Sequence, residues 1–189
     1  ARNQDAVQLL GRPAGDGLIT IRETDRMLVL SCEQFTYVFN KLTGLFDKMT
    51  FANEPLLDQP MGFNVWRAPT DNDRKLKADW YAAHYDHAAT NAYHTEYTVT
   101  ASGVTLHTHV GIAAICVQKF LDLDVTWTVA NNGSVGLALH AKRNTVFPEL
   151  PRFGLRLFLP QEMSQVNYYR YSLAAARRLH PPAGKRQPF

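Results

Sequence analysis

Cysteine is scarce in this chain of 189 residues: Cys32 and Cys116 are the whole supply. Both fall in apolar, strand-like segments. They read as two buried free thiols of a cytoplasmic protein, and nothing in the pattern requires a disulfide. Long apolar runs are missing too, and no stretch approaches the ~18 residues needed to cross a bilayer. The N-terminus, Ala1-Arg2-Asn3-Gln4-Asp5, has neither an initiating Met nor the apolar core of a signal peptide. It reads as an internal start, either a domain cut from a longer chain or a processed product. There is no G-x-S-x-G elbow, no phosphate loop and no C-x-x-C pair, so the usual sequence signs of serine hydrolysis, nucleotide binding and thiol chemistry are absent. No internal repeat is visible.

Acidic residues are missing from one region only. Residues 170–189 hold Arg170, Arg177, Arg178, Lys185 and Arg186 without a single Asp or Glu, so the net charge of +3 becomes −2 when they are set aside. The body is mildly acidic and only the tail is basic. A nucleic-acid surface needs basic residues on the fold itself with aromatic platforms among them, and that pattern is not present.

Alternating strands dominate what the chain does contain. From Leu121 to Val129 every odd position is apolar and every even one polar, the period of a half-buried strand. Val104, Leu106, Val110 and Ile112 form a second inward stripe, with Thr105, His107 and His109 facing the other way. Phe35, Tyr37 and Phe39 form a third, and Phe153, Leu155, Leu157 and Leu159 a fourth. Asn131-Asn132-Gly133-Ser134 contains the Asn-Gly pair that favours tight hairpins, and Ser102-Gly103 and Thr43-Gly44 are further hairpin ends. Pro148 and Pro151 interrupt pairing before the fourth stripe. Residues 74–92 show no period-two pattern and read as a long loop with a helical turn near Ala78–His84; loops of that length are usually functional or mobile. The expected fold is all-β, an antiparallel sandwich of two sheets that bury one apolar face each.

Gly62-Phe63-Asn64-Val65-Trp66-Arg67-Ala68-Pro69-Thr70-Asp71-Asn72-Asp73 is the most distinctive run. Pro69 lacks an N–H and pushes Ala68 toward extended backbone, so neither helix nor ladder continues through it. Asp71, Asn72 and Asp73 are left in a loop that their short side chains can pin by bonding to the backbone, and pinned loops are where binding sites sit. The run resembles the W-R-A-P-x-D-N-D signature of the small chain, or C-terminal domain, of bacterial β-galactosidases in glycoside hydrolase family two. Phe39-Asn40-Lys41-Leu42-Thr43-Gly44-Leu45 resembles the hairpin that opens that domain, and Leu150-Pro151-Arg152-Phe153-Gly154-Leu155 an element preceding a later strand.

The resemblance covers residues 1–169 and implies a sandwich of the galactose-mutarotase-like (supersandwich) type, truncated near its last third. Residues 170–189 are then expected to form a basic, irregular tail that departs from the family, the mark of a frameshift, a misassigned gene end or a cloning-derived extension. It also implies a cytoplasmic, non-catalytic domain of an enzyme that hydrolyses terminal β-D-galactosides. Both catalytic glutamates would lie in a barrel that this chain lacks, and any Mg and Na ions would be bound elsewhere. The partner would be the catalytic large chain or upstream domains, with galactoside as substrate; a truncated sheet is expected to self-associate through open edges. By the same resemblance Arg67, Asp71, Asn72, Asp73 and Arg74 border the substrate site.

Asp71 and Asp73 are tempting as a catalytic pair, because glycoside hydrolysis normally uses two carboxyl groups. Their more economical role is to shape the loop and pair with Arg67. His107 and His109 share a strand face but lack a third metal ligand by spacing, and His84 and His87 would align only on a helix; solvated polar-face histidines account for all four. The alternative function is a free-standing carbohydrate-binding or mutarotase-like module. An epimerase would need an acid and a base that converge, and His107, His109, His140 and Glu149 are its candidates. A purely structural interaction domain is the third reading.

Overall fold

The computed structural model describes residues 18–115 and 117–163. All the strands and helices of the described residues lie in one compact unit, Ala14–Leu159. Five strands make the first antiparallel sheet in sequential order: β1 (Thr20–Glu23), β2 (Met27–Ser31), β3 (Phe35–Asn40), β4 (Leu45–Phe51) and β5 (Glu54–Pro55). Four longer strands make the second: β7 (Ala89–Thr100), β8 (Gly103–Ala113), β9 (Leu121–Ala130) and β10 (Val135–Arg143), again neighbour to neighbour. Between them in the chain, β6 (Gln59–Asn64) pairs with β11 (Gly154–Phe158) as a separate two-stranded ribbon. The expected antiparallel sandwich is therefore present, with the ribbon as an addition.

The alternation read in the sequence decides which faces meet. On β9 Leu121, Leu123, Val125, Trp127 and Val129 are all buried, and on β8 Val104, Leu106, Val110 and Ile112 are 0–1% exposed. Opposite them lie Leu28, Leu30, Phe35, Tyr37, Phe39 and Phe46 of the first sheet. Contact between the layers is direct: the Phe46 and Trp127 rings meet edge to face at 5.2 Å. Two polar ends buried by this packing find backbone partners across the gap, as buried donors must. The Trp127 indole N–H donates to the Gly44 carbonyl at 3.0 Å, and the Tyr37 hydroxyl to that of Gly133 at 2.8 Å.

Both acceptors sit in hairpin turns named above, and both need glycine. Gly44 has φ 72°, and a Cβ there would stand 2.7 Å from Val110 Cγ2; Gly133 has φ 80°, with Phe51 2.9 Å from the same position. The Asn-Gly turn differs from the tight hairpin expected. The ladder runs one step past the strand ends, with the Ala130 N–H on the Ser134 carbonyl at 2.9 Å, so residues 131–133 form a three-residue loop, and of these only Gly133 has positive φ. The Gly133 N–H bonds back to the Ala130 carbonyl at 2.9 Å, as in three-residue loops that end on a left-handed residue.

Other expectations are corrected. The stripe Phe153, Leu155, Leu157, Leu159 does lead into a strand, yet Phe153, Leu157 and Leu159 are 38%, 48% and 40% exposed. β11 pairs with β6 alone and joins neither large sheet, and of the stripe only Leu155 packs against the core. Residues 74–92 are not one loop: α1 (Lys77–Ala82) fills the predicted helical turn, a 3₁₀ turn follows at Tyr85–His87, and β7 starts at Ala89. Cys32 lies just past β2 and is only partly buried, though free; Cys116 lies outside the described residues, as does the segment 170–189.

Candidate functional site

The motif begins where β6 ends. Asn64 closes the strand, and its side-chain oxygen accepts the Trp66 N–H at 3.1 Å, turning the chain out of the ribbon. Pro69 ends any further pairing, and Thr70 stands extended ahead of a 3₁₀ turn, Asp71–Asp73. Asp73 sits at the centre of the arrangement and is 7% exposed. Its Oδ2 accepts the Thr70 N–H at 2.7 Å and the Thr70 hydroxyl at 2.8 Å. The Arg67 guanidinium closes on the same carboxylate with both ends, Nη1 to Oδ2 at 2.6 Å and Nη2 to Oδ1 at 2.8 Å. Two parallel charge-assisted bonds of this kind fix geometry as well as energy. The Arg67 bonds, followed by the Thr70 bonds, hold the Asp73 carboxyl well below the usual carboxylate range. The same pairing raises Arg67 above its ordinary value. Asp73 therefore stays ionised and fully occupied, which suits a structural pin and not a proton donor.

Arg67 reaches further than its carboxylate. Its Nε donates to the Pro151 carbonyl at 3.2 Å, and its guanidinium carbon lies 5.1 Å from the Trp80 ring centroid. Trp80, on α1, is 3% exposed and donates its indole N–H to the Glu149 carbonyl at 2.9 Å. The Tyr85 hydroxyl bonds the Pro148 carbonyl at 2.6 Å, and Arg143 Nη1 the Phe147 carbonyl at 2.8 Å. Side chains from the motif, from α1, from the turn after it and from the end of β10 thus take four carbonyls of the segment 147–151. With Pro148 and Pro151 in it, that segment cannot join a ladder, and these bonds give its backbone acceptors the partners that burial demands.

Of the five residues placed at the site border, Arg67 and Asp73 point at each other, while Asp71, Asn72 and Arg74 are exposed on the outer side of the turn. Trp80, whose spacing carries no signal, was not anticipated as part of the cluster. A lone aromatic in a stretch without periodicity cannot be assigned to a face.

The histidines lie elsewhere. His94, His109, Asp124 and His140 stand in one row across the second sheet, each paired in register with the next. His109 Nδ1 is 2.9 Å from Asp124 and its Nε2 3.3 Å from Asp122, while His107 meets Thr126 at 3.1 Å. Glu149 approaches Arg143 at 3.9 Å rather than any of these histidines. His84 is the left-handed residue between α1 and the next turn, with φ 56°, so it does not share a helical face with His87. Among the described residues no three His, Cys, Asp or Glu side chains are grouped to hold a metal ion. No helix among them is long and apolar enough to cross a membrane.

Residues 31–172 match the family model described as beta galactosidase small chain. A beta-galactosidase of Actinobacillus pleuropneumoniae is 37% identical over 138 residues, which cover 73% of this chain and 14% of that protein. One from Staphylococcus xylosus is 34% identical over 152 residues, 80% of this chain and 15% of its own length. A third, from Lactobacillus delbrueckii subsp. bulgaricus, is 25% identical over 169 residues, 89% of this chain and 17% of its own. The chain therefore spans only a small part of the length of these relatives.

Proposed function

The chain belongs to the β-galactosidase small-chain family, and from that premise we propose that it serves as the non-catalytic C-terminal domain of a cytoplasmic β-galactosidase. In this reading it supports the catalytic barrel and borders the sugar site of an enzyme that hydrolyses terminal β-D-galactosides. It would do so on a galactose-mutarotase-like sandwich, with residues 1–169 as the domain. Its partner is the catalytic large chain, or upstream domains of the same protein, which also hold the two catalytic glutamates and any Mg or Na ions. Alone, it would self-associate through its sheet edges.

The observation that carries this reading is the state of Asp73 in the motif. Asp73 is spent on Arg67 and Thr70, so it cannot act as one of a pair of catalytic carboxyls. What the bonds achieve is a rigid loop with Asp71, Asn72 and Arg74 outward, the side on which the substrate-site border falls. Arg67 and Asp73 support that border from beneath.

Reconstitution tests the proposal. The purified chain should not turn over a chromogenic β-galactoside, and mixing or co-expression with the catalytic large chain should restore turnover. Hydrolysis by the isolated chain, lost on Asp71→Asn or Asp73→Asn substitution, would overturn it. So would an assembled complex without galactosidase activity.

A further inference from the structure

We propose that β10 is the seam of a symmetric dimer, in which two copies of this chain pair antiparallel through this strand about a two-fold axis at Leu139. The inference rests on the self-association proposed above and narrows it to one edge and one register.

A strand at a sheet edge carries unpaired N–H and C=O groups, and proteins blunt such edges with short strands, proline, charge or bulges. Every other edge among the described residues is blunted. β1 has four residues and carries Arg22 and Glu23. β5 has two, one of them Pro55. β7 is broken by a register shift between Ala92 and His94. In the ribbon, β6 carries Pro60 and β11 a shift between Arg156 and Phe158. β10 has none of these devices. Its nine residues stay in unbroken register with β9, it holds no proline, and its Lys and Arg stand only at its far end, Lys142 and Arg143. Leu137 and Leu139 are 40% and 36% exposed along it.

The ladder with β9 shows which backbone groups are free. At one end the Ala130 N–H bonds the Ser134 carbonyl, and at the other the Asn144 N–H bonds the Phe120 carbonyl. Even-numbered residues therefore turn their backbone toward β9, while Val135, Leu137, Leu139, Ala141 and Arg143 turn theirs outward. A second β10 matches this pattern. Antiparallel pairing centred on Leu139 overlaps all nine residues and sets Leu139 on Leu139, Leu137 on Ala141 and Val135 on Arg143. Each such pair exchanges two hydrogen bonds, so the five pairs make about ten.

The register also avoids repulsion. Lys142 of one copy meets Gly136 of the other, Arg143 meets Val135 and His140 meets Ala138, so no like charges stand directly opposite. The contact is isologous: it uses the edge on both copies and closes at two. Its affinity comes mainly from the backbone, as in strand addition, and the Leu137 and Leu139 side chains stand on the face of the sheet rather than in the seam.

Sedimentation velocity of the full chain at micromolar concentration should show a dimer that dissociates on dilution. Leu139→Pro removes an N–H that points away from β9, so the ladder with β9 is kept, and only monomer should remain. Leu139→Lys sets two ammonium groups opposite each other and should weaken the dimer by roughly 5-fold. Arg22→Ala on the β1 edge should change it by less than about 2-fold. With Cys32 and Cys116 replaced by serine, a short bismaleimide should join two copies at Leu139→Cys. It should not join them at Val135→Cys, where the two copies of that position lie about 26 Å apart in this register. A dimer that survives Leu139→Pro, or that joins equally at both positions, would overturn the β10 seam and leave self-association through another edge. A monomer at every concentration would overturn both and leave the galactosidase reading standing. In a mixture with the catalytic large chain, a β10 edge that joins that chain instead would overturn a second copy as its occupant.

Discussion

The interior between the two sheets and the cluster around the motif loop are held together by opposite means. In the interior, contacts are apolar and layered: Phe46 on Trp127, and Phe39 on Phe46 at 5.3 Å. Polar bonds there, such as that from Trp127 to Gly44, only satisfy donors that packing has buried. In the cluster the polar bonds come first. Arg67 (itself held by Asp73), Trp80 and Tyr85 draw an irregular segment 63–84 residues away against the loop by its carbonyls. Apolar packing spreads its energy over area and tolerates small shifts. Bonds to fixed carbonyls do not, and a loop held by them gains shape at the expense of a few critical residues.

If that contrast holds, the largest loss of stability comes from the interior. Trp127→Ala should cost ~3–5 kcal/mol in urea unfolding, since the side chain is 2% exposed and the cavity cannot fully collapse; a loss under ~1 kcal/mol would reverse the assigned faces. Asp73→Asn should come next, with a pH signature the interior lacks. The folded carboxyl lies below its ordinary value of 3.8, so its contribution is present above about pH 4 and fades as pH falls toward the lowered value. Wild type and Asp73→Asn should therefore differ most near neutrality and converge in acid. Trp80→Phe keeps a ring beside Arg67 and removes the bond to Glu149, a loss of about 1 kcal/mol in the same assay. Leu137→Thr on β10 should change stability by less than about 0.5 kcal/mol. Leu137 faces the same way as Trp127, its register partner, but is 40% exposed.

That last pair shows where sequence reading stops. The alternation along β9 is enough to name its buried residues, because β9 has a neighbour on each side and a sheet above. Adjacent β10 alternates in its first half, and β11 alternates too, yet both keep apolar side chains at the surface. Periodicity reports a strand's faces, not whether another layer covers one of them. Turn glycines were legible for a related reason: Gly44 and Gly133 sit where only a residue without Cβ fits. The motif loop was legible in part. Pro69 and the acids announce a pinned turn, and the Arg67–Asp73 pair follows from their chemistry at short range. The partners at 147–151 are backbone carbonyls, which carry no side-chain signature, so neither the role of Trp80 nor the clamp across the chain could be read in advance.

The central question is whether the polar clamp, rather than the core, shapes the proposed site border. The decisive measurement is galactoside turnover by the assembled enzyme carrying Asp73→Asn, taken together with the unfolding profile of its sandwich. The account predicts that turnover falls sharply while the two sheets still unfold as one cooperative unit. Full turnover from that variant would contradict it.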